Sequence, residues 1–118
     1  MIYEDVADAL VRARALIAVR ERWCQNREAF DVFDYPVEPD CADAVRWCGI
    51  GAIQHETPRL SQASVRSTAI TFLNVVCTGH SFMQWQDKPW RTHKQVLVKF
   101  DRAIVRARSM IPAPELRA

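Results

Sequence analysis

The chain has 118 residues, of which 49% are hydrophobic, with 16 lysines and arginines against 14 acidic residues. That length predicts one domain over residues 1–118, and the apolar fraction suffices for a core without stabilising disulfides. The balanced charge does not indicate a dedicated nucleic-acid binder, which usually shows a stronger basic bias. Three glycines are too few for the Gly-rich phosphate loops of dinucleotide-binding and P-loop proteins.

The sequence is typical of a cytoplasmic protein. Its longest apolar stretches are far shorter than the roughly 20 residues that span a bilayer. Residues 1–5 are acidic overall, whereas a secretory signal begins with a basic region. We therefore expect a cytoplasmic location, no membrane partner, and four cysteines that are free thiols.

The first half of the chain predicts two helices separated by a loop. Apolar residues recur at helical spacing over residues 3–24, with acidic residues early and arginines late, as the helix dipole favours. Residues 25–39 contain two prolines and predict a long loop. A second helix is expected over residues 41–55, with Asp40 as its cap.

The second half predicts two more helices around an aromatic connector. The third helix is expected over residues 60–78, with Gly79 as its C-cap. Residues 80–91 are rich in aromatic side chains and form the connector. Thr92 then begins the last helix, and Gln95 completes a capping box. The sequence therefore predicts an all-α domain of about four packed helices with one long loop and one aromatic connector.

Two local features lie near the start of the predicted second helix. The tripeptide Arg-Trp-Cys occurs at residues 22–24 and again at residues 46–48, which is too short to establish a duplication. Gly49 and Gly51 follow the second copy, and each destabilises a helix relative to alanine. We infer that another segment packs close to the backbone there, or that the helix bends.

Two runs of residues resemble conserved blocks of an uncharacterised family of bacterial and phage proteins. The run Ala44–Ala52 matches that family's Trp-Cys-x-x-Gly-Ala block. The run Trp85–His93 matches its Trp-Asn-Asp-x-Pro-Gly-Arg-Thr-His block, which a Phe-Asp-x-Ala helix follows, here beginning at Phe100. The chain departs from the pattern at Gln86, where the family has Asn, and at Trp90, where it has Gly. The resemblance covers most of the chain and implies no activity.

Cys48 is the centre of the sharpest chemical hypothesis. A catalytic thiol needs a lowered pKa and a base within reach. Cys48, His93 and Asp87 would then act as nucleophile, base and orienting residue. The alternative is that Cys48 is a small buried hydrophobic residue, while His93 starts a helix and Asp87 caps a turn. The predicted helix favours this alternative, because it places Cys48 mid-helix, where the helix dipole does not lower a thiol pKa.

A metal site has weaker support from the sequence. Cys77 and His80 have ligand-like spacing, and Cys41, Cys48 and His55 recur every seven residues on the predicted second helix. Seven helical residues rise about 10.5 Å, too far for two of these side chains to share one zinc ion. The sequence also contains no Cys-x-x-Cys pair. We therefore predict neither a metal nor a cofactor.

The remaining hypothesis is a surface that binds a macromolecule. Its predicted residues lie in the connector and on the last helix: Trp85, Trp90, Arg91, Lys99, Arg102 and Arg106. Tryptophan and arginine dominate interface hot spots, and aromatic side chains also stack on nucleic-acid bases. The alternative is that the tryptophans belong to the core and the basic residues form a solvated helix face.

We therefore predict a small accessory protein that binds a macromolecular partner, with a protein favoured over nucleic acid. Because the similar proteins occur in phages as well as bacteria, inhibition of a host defence complex is the role that the resemblance suggests. One alternative is a cysteine-dependent enzyme that uses Cys48 and His93, and another is a nucleic-acid-binding domain. A cleft that holds Cys48 beside His93 would favour the enzyme, and exposed aromatic or arginine side chains would favour binding.

Overall fold

A computed structural model describes residues 2–78 and 80–112 of the protein. Most of these residues are helical. The helices are α1 (Ile2–Leu16), α2 (Gly49–Glu56), α3 (Ala63–Val75), α4 (Phe82–Gln86) and α5 (His93–Ser109), and short 3-10 turns occur at Arg20–Arg22 and Leu60–Gln62. None of the described helices is long and apolar enough to cross a membrane.

A small antiparallel sheet joins the long loop to the residues that precede α2. Strand β1 (Ala29–Phe30) pairs with strand β2 (Arg46–Trp47). The pairing continues past β2, where the N–H of Cys48 donates to the carbonyl of Glu28 at 3.1 Å. The prediction of a mostly helical fold is confirmed, but the sheet means that the fold is not purely all-α.

The predicted second helix over residues 41–55 is wrong in its first half. The chain forms β2 there, and α2 begins only at Gly49, with Cys48 as its N-cap. Tertiary contacts explain the difference. The backbone of this segment forms hydrogen bonds with Glu28 and β1, so its N–H and C=O groups are not available for helical hydrogen bonds. Asp40 is therefore not the cap of this helix.

The first helix also ends earlier than the predicted range of 3–24. Helix α1 stops at Leu16, and Trp23 has an extended backbone with φ −102° and ψ 140°. Trp23 forms an isolated parallel bridge with Trp47, which holds this stretch against the sheet. Pairing with a distant segment thus overrides the local helical pattern.

The predicted third helix over residues 60–78 is shorter in the structure. Its first residues form a 3-10 turn, and α3 ends where the ammonium group of Lys99 donates to the carbonyl of Val76 at 2.8 Å. Gly79, the predicted C-cap, lies outside the described residues. The connector over residues 80–91 is not irregular throughout, because it contains α4.

Helix α5 is the element that the sequence predicted best. The Thr92 hydroxyl accepts the Gln95 N–H at 3.1 Å, and the Gln95 side chain accepts the Thr92 N–H at 3.0 Å, which confirms the capping box. The apolar stripe is buried and consists of Val96, Phe100, Ala103, Ile104 and Ala107. The helix ends at Ser109, shortly before Pro112, while Pro114 lies outside the described residues.

The core lies where α1, α2, α3 and α5 pack together. Its largest fully buried side chains include Leu10, Ile17, Ile53, Leu73, Phe82 and Phe100. The close contacts expected at the two glycines are present. A Cβ atom on Gly49 would overlap the ring of Phe82, and one on Gly51 would overlap the backbone carbonyl of Glu28. The two glycines therefore let α2 approach both the connector and the turn before β1.

Candidate functional site

A cleft of about 690 Å³ opens beside the start of α2. Its lining combines thiols, carboxylates and apolar side chains, among them Glu28, Val37, Glu38, Cys41, Cys48, Met83 and Asp87. Two of the three predicted catalytic residues, Cys48 and Asp87, therefore line one cleft. The third, His93, is not part of its lining.

Cys48 acts as the N-cap of α2. Its sulfur accepts the N–H of Gly51 at 3.2 Å, and its side chain is only 1% exposed. The hydrogen bond satisfies one of the free N–H groups of the first helical turn. Burial raises the pKa of the Cys48 thiol, although hydrogen bonds from Gly51 and Gln86 act in the opposite direction. The thiol is therefore protonated at neutral pH, which disfavours a nucleophilic role.

Gln86 is a second buried polar residue at this helix start, and sequence reasoning did not identify it as a site residue. Its side chain is fully buried, and its Oε1 atom accepts the N–H of Gly49 at 2.6 Å. The same oxygen lies 3.5 Å from the indole Nε1 of Trp23. Gln86 thus ties α4, α2 and the Trp23 segment together. The available signal was its place in the second block, where the family pattern has another side-chain amide.

Asp87 anchors the turn that precedes β1. Its Oδ1 atom accepts the backbone N–H of Asn26 at 3.0 Å and the side-chain amide of Gln86 at 3.2 Å. Asn26 has a positive φ of 74°, a conformation that asparagine tolerates better than most residues. The side chain of Gln25 adds hydrogen bonds to the carbonyls of Gln86 and Lys88. Asp87 therefore acts as a turn anchor in this structure.

His93 belongs to a different hydrogen-bond network. Its Nε2 atom lies 2.6 Å from the carbonyl oxygen of Ile17, and since a carbonyl only accepts, Nε2 carries the proton. The ring also lies against Trp23, with centroids 5.8 Å apart. Within residues 2–78 and 80–112, no hydrogen bond joins His93 to Cys48 or Asp87. The structure brings Cys48 and Asp87 to one cleft but holds the imidazole of His93 against the end of α1.

We expect iodoacetamide to alkylate Cys41 first in the folded protein. Cys41 is partly exposed, whereas Cys24, Cys48 and Cys77 are buried. Burial raises the pKa of these three thiols, for Cys24 from 9.0 to about 12. That rise lowers the thiolate fraction of Cys24 at neutral pH about 1000-fold, so its alkylation should be slow and should accelerate as the pH rises. Mass spectrometry of the labelled peptides measures the order.

The denatured chain is the matched control for this labelling, because all four thiols should then react at similar rates. Fast alkylation of Cys48 in the folded chain, lost in the His93→Ala variant, would contradict the expected order. That result would instead support the cysteine-dependent enzyme.

The residues considered as metal ligands do not converge. Cys41 and Cys48 lie outside α2, and the Nδ1 atom of His55 is 2.8 Å from the carbonyl oxygen of Pro39. In the described parts of the chain, no group of three His, Cys, Asp or Glu residues is placed to hold a metal ion.

A sequence profile for DUF6197, a family of unknown function, matches residues 1–106. The chain belongs to DUF6197. The match includes both blocks singled out in the sequence, and with them every residue of the Cys48–Gln86–Asp87 network. No curated protein and no solved structure shows significant similarity to this DUF6197 chain.

The predicted partner-binding tryptophans differ in their surroundings in this DUF6197 protein. The ring of Trp85 is partly buried, with the Arg91 guanidinium 3.9 Å and the Lys99 ammonium 5.4 Å from its centroid. Trp90 is 69% exposed, and its nearest cation is Lys88 at 6.0 Å. Arg91 and Lys99 therefore both lie against the ring of Trp85 within the fold, whereas Trp90 presents its ring to solvent.

A second, mostly apolar groove lies between α3 and α5. The α3–α5 groove, as we name it, has a volume of about 810 Å³ and lies between the end of α3 and the C-terminal half of α5. Its lining includes Phe72, Val75, Val76, Val98, Arg102, Val105, Arg106 and Met110. A smaller groove of about 430 Å³ shares Val98 and Arg102 with it and extends to Lys94 and Lys99. Three of the predicted partner-binding residues, Lys99, Arg102 and Arg106, line this continuous surface.

Proposed function

We propose that this DUF6197 protein binds a protein partner that inserts an acidic, amphipathic helix into the α3–α5 groove. The observation that carries the proposal is a row of exposed apolar side chains along the groove. Their exposed fractions are 49% for Val75, 41% for Val98, 67% for Val105 and 48% for Met110. Contiguous exposed apolar patches with a polar rim are typical of interaction sites.

The shape of the groove favours a helix as its occupant. The walls are two helices, and a third amphipathic helix buries its apolar face when it lies between two others. Val98 and Val105 are seven residues apart on α5, which is about 10.5 Å along the helix axis. That distance matches the spacing of anchor side chains at positions i and i+7 of a partner helix.

The charge of α5 favours an acidic partner. Among the residues of α5, five are basic and one is acidic, namely Lys94, Lys99, Arg102, Arg106 and Arg108 against Asp101. Asp101 forms an ion pair with Arg14 of α1, so its charge is already compensated. Arg102 and Arg106 are exposed beside the apolar row. A partner with carboxylates flanking its apolar face would pair with them and associate faster at low salt.

We expect Val105→Glu to weaken partner binding at least about tenfold, because it places a charge in the middle of the apolar row. The partner is first captured from a bacterial lysate on the immobilised chain, identified by mass spectrometry and purified. Isothermal titration calorimetry then compares the variants. Val19→Glu is the matched control, since Val19 is 53% exposed and does not line the groove.

Three results would count against this proposal. A partner that binds Val105→Glu and the unaltered chain equally well would place the interface elsewhere, for example at Trp90. Binding that nuclease treatment abolishes would support the nucleic-acid alternative instead. If the affinity does not fall when Arg106 is changed to Glu, the partner does not pair its carboxylates with this side of α5.

We further propose that the partner belongs to a host defence complex. It is supported by the family resemblance to phage proteins and by no contact within the chain. The identity of the captured protein decides it.

A cysteine-dependent enzyme remains the second candidate, because Cys48 and Asp87 line one cleft at the N-terminus of α2. The burial of the thiol and the hydrogen bond from His93 to Ile17 weigh against it. The alkylation experiment described above tests this candidate directly.

A further inference from the structure

The two Arg-Trp-Cys tripeptides meet in the folded chain. Trp23 forms a parallel bridge with Trp47, and the N–H of Cys24 donates to the carbonyl of Trp47 at 3.1 Å. Cys24 and Cys48 directly follow the bridged tryptophans. They therefore occupy neighbouring positions on two segments that run side by side.

The spacing of these segments suits a covalent bond between the two sulfurs. Neighbouring strands lie about 4.8 Å apart, and residues at the same level point to the same face. A disulfide needs a Cα–Cα separation of about 4.4–6.8 Å. Cys48 has the extended backbone that such a pairing requires, with φ −74° and ψ 172°.

Both cysteines also face the same turn. The Cys24 sulfur lies 3.6 Å from the carbonyl oxygen of Arg27, and the N–H of Cys48 donates to the next carbonyl, that of Glu28. Both thiols are buried, and Cys48 is among the charges that raise the pKa of Cys24. The two thiols are therefore buried beside the same turn.

We propose that Cys24 and Cys48 form an oxidisable pair that closes as an intramolecular disulfide in the presence of a peroxide. Of these two cysteines only Cys48 lines the cleft, so it is the one that a small oxidant in the cleft can reach, and the reaction is slow because the thiol is buried and mostly protonated. The Cys48 sulfur loses its proton and attacks one peroxide oxygen, which gives a sulfenic acid and one water molecule. The Cys24 sulfur then attacks the sulfenic sulfur and releases a second water molecule. The two thiols lose two electrons and two protons, and hydrogen peroxide accepts both.

The experiment treats the purified full chain with hydrogen peroxide for a prolonged period at about pH 8.5, because burial raises the pKa of both thiols and a higher pH increases the thiolate fraction that reacts. Peptide mapping without reductant should show one intramolecular bridge between Cys24 and Cys48. The Cys41→Ser variant should keep this bridge, and Cys24→Ser should lose it. Because the new loop spans the long connection through β1 and β2, the oxidised chain should melt higher by on the order of 10 °C, reversibly with dithiothreitol.

Several results would overturn the oxidisable pair. They are a bridge between Cys41 and Cys48, disulfides only between chains, overoxidation of Cys48 without a bridge, and four intact thiols after prolonged peroxide treatment of the folded chain. The peptide map of the unaltered chain decides among these outcomes, so the test does not depend on the folding of any variant. It also does not depend on the α3–α5 groove.

Discussion

The Gly51→Ala variant should be less stable than the unaltered chain by about 3 kcal/mol, as expected when a well-packed site is overfilled. A Cβ atom at this position would overlap the backbone carbonyl of Glu28, which cannot rotate away as a side chain would. Alanine is intrinsically better than glycine inside a helix by about 1 kcal/mol. A decrease in the free energy of unfolding would therefore indicate crowding against Glu28, and an increase would indicate that helix propensity dominates.

Urea denaturation followed by circular dichroism measures the free energy of unfolding of this variant. Ser64→Ala is a matched control, because Ser64 is an exposed residue near the start of α3 and gains only helix propensity. A Gly51→Ala variant as stable as the control would show that α2 does not lie this close to the turn before β1.

The Gln86→Leu variant should lose about 3 kcal/mol of stability, although leucine has a similar volume and is apolar. The substitution leaves the buried N–H of Gly49 without its acceptor and also removes the longer hydrogen bond of the partly buried Trp23 indole. Each buried donor left unsatisfied costs about 1–3 kcal/mol. The loss should appear in urea denaturation and should coincide with a change in tryptophan fluorescence, because Trp23 loses its hydrogen bond.

Gln84→Leu provides the matched control for Gln86→Leu. It places the same side chain on the same short helix, but at an exposed position. Gln86→Asn, which introduces the residue of the family pattern, keeps the amide but shortens it by one methylene and should fall between the two. Equal stability of the Gln86→Leu and Gln84→Leu variants would show that the buried amide does not hold α2 and α4 together.

The parts of the fold that the sequence predicted well are those with local causes. The Thr92–Gln95 capping box and the apolar stripe of α5 depend on residues three and four positions apart, so the pattern identifies them directly. The close contacts at Gly49 and Gly51 were also expected, because a glycine inside a helix has a cost that a packing contact explains.

The errors arose where distant residues decide the backbone. Nothing near Trp23 in the sequence indicates that it pairs with Trp47, yet that bridge fixes an extended backbone there, beyond the end of α1. The N–H of Cys48 likewise pairs with Glu28, which moves the start of α2 to Gly49 and makes the cysteine a helix cap. Hydrophobic periodicity depends only on the spacing of the apolar residues in these segments, and that spacing predicts helices.

For the candidate site too, the sequence predicted features that depend on residue type and missed those that depend on contacts between distant residues. The sequence singled out Cys48 and Asp87, which the structure places on one cleft, because unusual residue types stand out in a motif. It also linked His93 to them, although the imidazole contacts the carbonyl of Ile17. The importance of Gln86 was missed because an amide side chain has no distinctive reactivity. Its role depends entirely on being buried against the N–H of Gly49.

The contact between α1 and α5 sets a condition on how the chain folds during synthesis. Helix α1 packs on α5, with an ion pair from Arg14 to Asp101 and a hydrogen bond from His93 to Ile17. Although α1 also packs on α2 and α3, its apolar face is therefore covered completely only after α5 has left the ribosome, on the order of ten seconds later at ordinary elongation rates. During that interval the nascent chain exposes the part of α1 that α5 covers, and a ribosome that stalls before α5 releases a product that cannot close its core.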